Sequence, residues 1–140
     1  MILADTGPLV ALFDPRDRDH GRCVACLRKM REPLRTTVPV LTEAFRLLRP
    51  GSHGAHALMR FVSDGGLGLW FFDEQSLSRA FALVRQYVDA PMDLADASLV
   101  TAAETLGVRK VFTLDRRDFS IYRVKRGHRY LALEIIDAAR

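Results

Sequence analysis

The chain alternates between short strand-like runs and longer segments in which apolar residues recur every three or four positions. The strand candidates are Ile2–Ala4, Leu34–Thr37, Leu67–Phe72 and Lys110–Leu114. The segments between them have helical spacing. Strands that alternate with helices of this length favour a parallel sheet covered on both faces. We therefore predict an α/β fold with three layers, α/β/α, around a mostly parallel central sheet.

Helix ends are indicated by capping residues, prolines and glycines. Thr6 can cap a helix whose first turn holds Pro8, and Pro39 suits the start of another. Tyr122–Ile136 is less regular and is predicted to hold one or two edge strands around Gly127. The predicted helices are a segment ending at Phe13, then His20–Arg31, Pro39–Arg49, Ser52–Ser63, Glu74–Val88 and Asp93–Leu106.

Length and composition suggest a single domain over residues 1–140. The chain has 140 residues, of which 49% are hydrophobic, as expected for one compact core. Its apolar runs are far shorter than the roughly 20 residues that span a bilayer. Its start lacks the features of a secretory signal, so we expect a cytoplasmic protein. The net charge of +4 favours polyanionic partners without requiring them.

Cys23 and Cys26 stand three residues apart and follow His20, a spacing that suggests a metal or redox site. A structural zinc site would need a fourth ligand and usually a second ligand pair, and the sequence offers no clear candidate. Both cysteines share a helix face with Leu27 and Met30. We therefore interpret them as small packing residues.

Two acidic residues stand at the ends of predicted strands. Asp5 follows Ile2–Ala4, and Asp115 follows Lys110–Leu114. Either residue alone is typical of a loop or a helix cap. In an open parallel sheet, however, ligands bind at the carboxyl ends of the strands. The shared position therefore makes Asp5 and Asp115 candidate site residues.

Two further acids lie on predicted helices, beside apolar neighbours. Glu43 falls on or next to the apolar stripe of its helix, and Asp96 shares a helical line with Val100 and Ala103. A buried carboxylate needs a cation, a basic partner or a proton. For Glu43 the basic partner could be Arg46 or Arg49.

Two other acids near this set allow simpler interpretations. Asp93 is explained by a helix N-cap and is left out of the site. Asp118 could be a fifth acid or could cap a turn.

Asp5, Glu43, Asp96 and Asp115 would repel one another at a single pocket unless a divalent cation were bound. Carboxylate oxygens suit Mg²⁺ or Mn²⁺, and the absence of histidine and cysteine from the set argues against zinc. Such a site activates water and stabilises charge on a phosphate, with one metal or two. The chemistry predicted is phosphodiester hydrolysis.

Four motifs in this order resemble the PIN-domain family, and within it the VapC-like toxins of bacterial toxin–antitoxin pairs. The motifs are Leu3–Leu9, Thr42–Glu43, Asp93–Ala97 and Thr113–Phe119, and the match runs nearly end to end. The resemblance implies a Mg²⁺- or Mn²⁺-dependent endoribonuclease that forms a homodimer. It also implies a small antitoxin that inserts a segment into the active-site groove.

Carried over residue by residue, the resemblance makes Asp5, Glu43, Asp96 and Asp115 the catalytic acids. Asp5, Asp96 and Asp115 would be the metal ligands, Thr6 a supporting polar residue and Asp118 a further helper.

RNA is expected to be held by basic side chains that flank the acids. The first candidates are Arg16, Arg18, Arg46, Arg49, Arg116 and Arg117. A later run is also basic, but its charges could equally protect an edge strand. That run consists of Arg123, Lys125, Arg126, His128 and Arg129.

Three other functions are compatible with parts of this pattern. A haloacid dehalogenase phosphatase needs a second Asp two residues after the first, where this chain has Gly7. A response-regulator receiver would place its phosphorylated Asp after the third strand, where only Asp73 is available. The more serious alternative is a catalytically inactive PIN-like module that binds RNA or a protein partner.

Overall fold

The computed structural model describes residues 1–137 and contains seven helices and seven strands within that range. The helices are α1 (Thr6–Phe13), α2 (His20–Lys29), α3 (Val38–Leu48), α4 (His53–Ser63), α5 (Glu74–Gln86), α6 (Leu94–Leu106) and α7 (Arg116–Ile121). The strands are β1 (Ile2–Ala4), β2 (Leu34–Thr37), β3 (Gly68–Trp70), β4 (Lys110–Phe112), β5 (Arg123–Arg126), β6 (Arg129–Ala132) and β7 (Glu134–Ile136).

Five strands form a parallel sheet in the order β3-β2-β1-β4-β7, and helices flank it. This arrangement confirms the predicted α/β/α fold. The chain leaves β1 toward β2 and later returns to the other side of β1 as β4, with Leu3 beside Val111. The direction of winding therefore reverses between β1 and β4, and a sheet of this kind has its ligand crevice at that point.

The core lies between the sheet and its helices, and the central strands are buried. Residues of β1 are at most 4% exposed, and α6 buries eight residues of its 13. Cys23 is buried in this core and Cys26 packs against it, which agrees with a packing role. Among the described residues, no helix is long and apolar enough to cross a membrane.

Several predicted boundaries differ from the structure. Strand β3 is limited to Gly68–Trp70 because this edge strand pairs only with β2. Helix α7 was not predicted, although Asp115 caps it by accepting a hydrogen bond from the Asp118 amide at 3.0 Å. Helices α2, α3 and α5 end one or two residues before their predicted ends.

The segment after α7 holds three strands, where one or two were predicted. Strands β5 and β6 form an antiparallel hairpin that turns at Gly127, whose φ of 63° favours glycine. Strand β7 then joins the main sheet beside β4. Strands β5 and β6 agree in number with the two strands allowed around Gly127, whereas β7 was not predicted as a further strand because its three residues are too few to show alternation.

Candidate metal and active site

An acidic pocket of about 630 Å³ opens where β1 and β4 end. Among residues 1–137, no basic side chain lines it. The five acids that the sequence suggested for the site all line it, together with Thr6. Two acids outside that set, Asp17 and Asp93, also line it. Its seven acids are Asp5, Asp17, Glu43, Asp93, Asp96, Asp115 and Asp118.

Asp5 is the most buried acid of the pocket, with 8% exposure. One of its carboxylate oxygens accepts a hydrogen bond from the Thr6 amide at 2.8 Å, and the other accepts one from the Thr113 hydroxyl at 2.8 Å. Burial raises the pKa of Asp5 to about 6, although these hydrogen bonds oppose the shift and nearby Asp115 and Glu43 add to it. Asp5 thus carries an unfavourable charge at neutral pH that a cation would relieve.

Thr113 connects the ends of the two central strands. Its hydroxyl is buried, donates to Asp5 and accepts from the Asp115 amide at 2.9 Å. The parallel pairing of Ala4 with Phe112 brings these residues side by side. Thr113 therefore fixes the side-chain rotamer of Asp5 and the backbone of Asp115.

Asp96 lies in the first turn of α6, where its amide donates to the capping carboxylate of Asp93 at 2.8 Å. The hydroxyl of the fully buried Tyr122 donates to Asp96 Oδ2 at 2.8 Å. Burial, followed by the charges of Asp5 and Asp93, raises the pKa of Asp96 to about 8, against the effect of the Tyr122 hydrogen bond. Asp96 therefore holds a proton at neutral pH unless a cation is near.

Asp115, Asp118 and Glu43 complete the predicted set. Asp115 is exposed, and burial together with its neighbour Asp115 raises the pKa of Asp118. Glu43 is half-buried on α3 and reaches the pocket. Within residues 1–137 it forms no ion pair with Arg46 or Arg49, so its carboxylate remains available to the pocket.

Thr6 does not cap α1 as predicted. The cap is Asp5, whose longer carboxylate reaches the Thr6 amide from one position earlier. The Thr6 hydroxyl is buried, and within residues 1–137 it has no hydrogen-bond partner, although Thr6 lines the pocket. A buried hydroxyl of this kind has unused donor and acceptor capacity next to the acids.

Sequence reasoning missed three residues that shape this pocket. Tyr122 carried no signal, because the chain around it is irregular. Thr113 was part of a predicted strand, and the only available sign was a polar residue two positions before Asp115. Asp17 lies in the loop after α1, and its sequence neighbours gave no reason to place it near Asp5.

The chemistry of the pocket suits a hard cation, since its charged groups are all carboxylates. Over residues 1–137, no three histidine, cysteine, aspartate or glutamate side chains are arranged so that they could hold a metal ion by themselves.

The arginines proposed for RNA binding occupy different positions. Arg16 and Arg49 line a second pocket of about 550 Å³, which shares Leu47 with the acidic pocket. Arg116 donates to Asp137 Oδ2 at 2.5 and 2.9 Å. The others, Arg18, Arg46 and Arg117, are exposed.

The chain is similar in sequence to a ribonuclease of the same size, although no family model matches it. It is 29% identical over 134 residues to ribonuclease VapC26 of Mycobacterium tuberculosis, a match that covers 94% of this chain and 99% of the relative.

Three solved structures share the fold. The Sarcin-Ricin loop cleaving toxin VapC20 of M. tuberculosis superposes with a TM-score of 0.73 and 18% identity, covering 79% of this chain and 87% of the toxin. A toxin–antitoxin complex from Klebsiella pneumoniae gives a TM-score of 0.66 at 18% identity, with 86% and 92% of the two chains covered. FitAB bound to a DNA fragment gives a TM-score of 0.62 at 20% identity, with 99% of this chain and 95% of that chain covered.

A parallel five-stranded sheet with an acidic pocket at its switch point defines a PIN-like protein. The sequence match to VapC26 and the fold shared with VapC20 confirm the resemblance drawn from the four motifs. This chain is VapC-like.

The raised pKa values predict how the metal-free protein responds to pH. A carboxyl group with a pKa higher in the folded than in the unfolded state stabilises the fold below its unfolded pKa of about 4. That contribution is lost as pH rises through about 6 for Asp5 and about 8 for Asp96. We expect Asp96→Asn to raise the free energy of unfolding at pH ~9 by on the order of 1 kcal/mol, and to have little effect at pH ~4.

Asn at position 96 can still accept the Tyr122 hydrogen bond but cannot ionise. Urea unfolding at both pH values, in the presence of a chelator, would measure the effect. Asp64→Asn, at an exposed position outside the pocket, is the matched control. An equal effect of Asp96→Asn at both pH values would contradict the conclusion that the charge of ionised Asp96 destabilises the fold.

Proposed function

We propose that this chain is a metal-dependent endoribonuclease that acts in the cytoplasm as the toxin of a toxin–antitoxin pair. The observation that carries the proposal is the acidic pocket at the switch point, where Asp5 and Asp96 have raised pKa values beside further carboxylates. The similarity to ribonuclease VapC26 supports the same activity. Asp5, Glu43, Asp96 and Asp115 are the proposed catalytic acids.

Mg²⁺ or Mn²⁺ would be held by Asp5, Asp96 and Asp115, with water completing its coordination. When bound, the ion lowers the pKa of water and offsets negative charge that builds on the phosphate. Its charge also favours the ionised forms of Asp5 and Asp96, which burial otherwise opposes.

The side chains of the pocket then have separate tasks. Thr113 and Tyr122 hold Asp5 and Asp96 in fixed rotamers, as supporting hydrogen bonds do around metal ligands. Glu43 lines the pocket and is proposed to take a proton from the attacking water. The water oxygen bonds to phosphorus, the bond from phosphorus to the leaving oxygen breaks, and the leaving oxygen takes up the proton that Glu43 had accepted. Thr6 and Asp118 line the same space and are proposed to order water there.

Basic residues around the pocket are proposed to bind the RNA backbone. Arg16, with Arg49, lines the neighbouring basic pocket, and Arg46 and Arg117 are exposed. Arg116 would bind phosphate only if a phosphate replaced Asp137 as its partner.

A small antitoxin protein is the proposed partner, and the chain is proposed to form a homodimer. Two fold neighbours support a protein partner, since one is named as a toxin–antitoxin complex and another as FitAB. Exposed apolar side chains on α3 and α4, Leu47 and Met59, offer surface for such contacts. The acidic pocket would attract a basic side chain of an inserted antitoxin segment.

Light scattering would test the assembly. We expect about twice the 15.8 kDa of one chain for the purified protein, and a larger mass on mixing with the proposed antitoxin. A mass of one chain would contradict the dimer, and unchanged RNA cleavage after mixing would contradict the inhibitory partner.

Asp5→Asn should abolish RNA cleavage. Asparagine caps a helix about as well as aspartate, so α1 should remain intact while the ligand charge is lost. We expect cleavage of total RNA in Mg²⁺ or Mn²⁺ to fall by roughly 100-fold or more, and EDTA to have the same effect. Asp64→Asn is the control and should leave activity unchanged. Failure of folded, metal-replete protein to cut any RNA class would favour the inactive binding module instead.

Thr113→Val should weaken metal binding without removing a ligand. The substitution nearly preserves shape but deletes the hydroxyl that donates to Asp5 and accepts from the Asp115 amide. Calorimetric titration with MnCl₂ should show affinity about 10- to 100-fold lower. Thr113→Ser restores the hydroxyl and should recover most of that loss. Equal affinities for the valine and serine variants would exclude the proposed role of Thr113.

A further inference from the structure

The β5–β6 hairpin carries an unusual share of the positive charge. Residues 122–133 contain four Lys and Arg residues, one histidine and no acid. The rest of the chain holds 17 Lys and Arg against 17 Asp and Glu, so the net charge of +4 resides in this segment. The hairpin is a separate two-stranded sheet and not an edge of the main sheet.

The strand register places an aromatic ring among these charges. Lys125 lies directly across from Tyr130, and Arg123 lies across from Ala132. Residues that face each other in this way project from the same side of a hairpin. Tyr130 is 58% exposed there, whereas Val124 is buried on the opposite side. Protection of a strand edge would explain the charges but not an exposed ring between them.

The hairpin is fixed to the body of the protein. The Lys125 amide donates to Glu104 at 2.8 Å, and Arg79 holds Glu104 through two hydrogen bonds of 2.9 and 3.0 Å. The Arg126 guanidinium donates to the Gly107 carbonyl at 2.9 Å. The outer face is therefore ordered before any ligand arrives, which lowers the entropic cost of binding.

Some of the cations on this hairpin remain available. Across residues 1–137, the side chains of Lys125, His128 and Arg129 make no hydrogen bond or ion pair within the protein. Arg123, in contrast, donates to carbonyls at the end of α7.

The hairpin begins at the acidic pocket. Tyr122, which precedes β5, donates to Asp96 in the pocket. Glu104, which binds the Lys125 amide, lies eight residues farther along α6, a distance of about 12 Å. One strand of RNA can therefore contact the pocket and the hairpin together.

We propose that the outer face of the β5–β6 hairpin is a binding platform for single-stranded RNA. Tyr130 stacks on a base, while Lys125, which lies across from it, contacts a flanking phosphate. An exposed ring among cations is the usual combination in proteins that bind unpaired nucleic acid. The inference rests on the proposed function in one respect, namely that the substrate is RNA.

The test is RNA binding by the uncleaving Asp5→Asn protein, measured by fluorescence anisotropy with an unstructured 12-nucleotide RNA. Tyr130→Leu, which keeps apolar volume but removes the ring, should weaken binding about 5- to 100-fold. Tyr130→Phe, which keeps the ring, should stay within about 2-fold of the parent. The same RNA annealed to its complement should bind less tightly and lose its dependence on Tyr130.

Charge is tested by the salt dependence of the same binding. Replacing Lys125 by alanine should reduce the slope of log K against log salt by about 0.7, the contribution of one phosphate contact on a single strand. Arg60→Ala, an exposed cation on α4, is the control and should leave the slope unchanged.

The outcomes separate this inference from the nuclease proposal. Parental binding by Tyr130→Leu would overturn the platform, even if the active chain cleaves RNA. Tyr130-dependent binding of polyglutamate in place of RNA would also overturn it, in favour of an acidic protein partner. Tyr130-dependent RNA binding by a chain that cleaves nothing would uphold the platform and reject the nuclease.

Discussion

The parallel pairing of β1 with β4 is the constraint on which the acidic pocket depends. With Ala4 beside Phe112, the next residues of the two strands emerge at the same edge of the sheet, and Thr113 reaches Asp5. A slip of one residue in this register would turn the side chains of a strand to the opposite face. The buried β1 strand prevents such a slip, because its side chains pack in the core on both sides. The packing of three apolar residues thus determines the position of a charged one.

The cost of burying charge explains why the pocket is built as it is. Asp5 and Asp96 lie where water is largely excluded, and each is supported by a hydroxyl group that donates a hydrogen bond. One hydrogen bond does not offset the loss of hydration, so both pKa values stay high. The fold therefore becomes less stable as these two acids ionise. The acids of the pocket are nevertheless already held in fixed orientations. The fold thus loses some stability, and a cation can bind without rearrangement of these side chains.

Much of this organisation could be predicted because local signals coincide with it. Asp93 caps its helix as expected, and the strand Leu34–Thr37 is found with its predicted bounds. The meeting of the four acids in one pocket could be predicted because strand ends and helix periodicity are each encoded by a few neighbouring residues. Tyr122 and Thr113 were missed because their roles arise from contacts across 26 and 108 positions of the chain, for which a short pattern carries no information. Helix α7 was missed because its six residues are too few to show a period.

Because of the way the hairpin is attached, its outer surface and the acidic pocket can change independently in evolution. To its contacts with the body the hairpin contributes the main chain of Lys125 and Ala132, the Arg126 guanidinium and one buried side chain, Val124. Main-chain contacts of this kind persist when neighbouring outward side chains are replaced. Charge and aromatic content can therefore drift on this surface while the sheet and its carboxylates are preserved. Descendants of one ancestral enzyme could in this way acquire new targets without redesigning their chemistry.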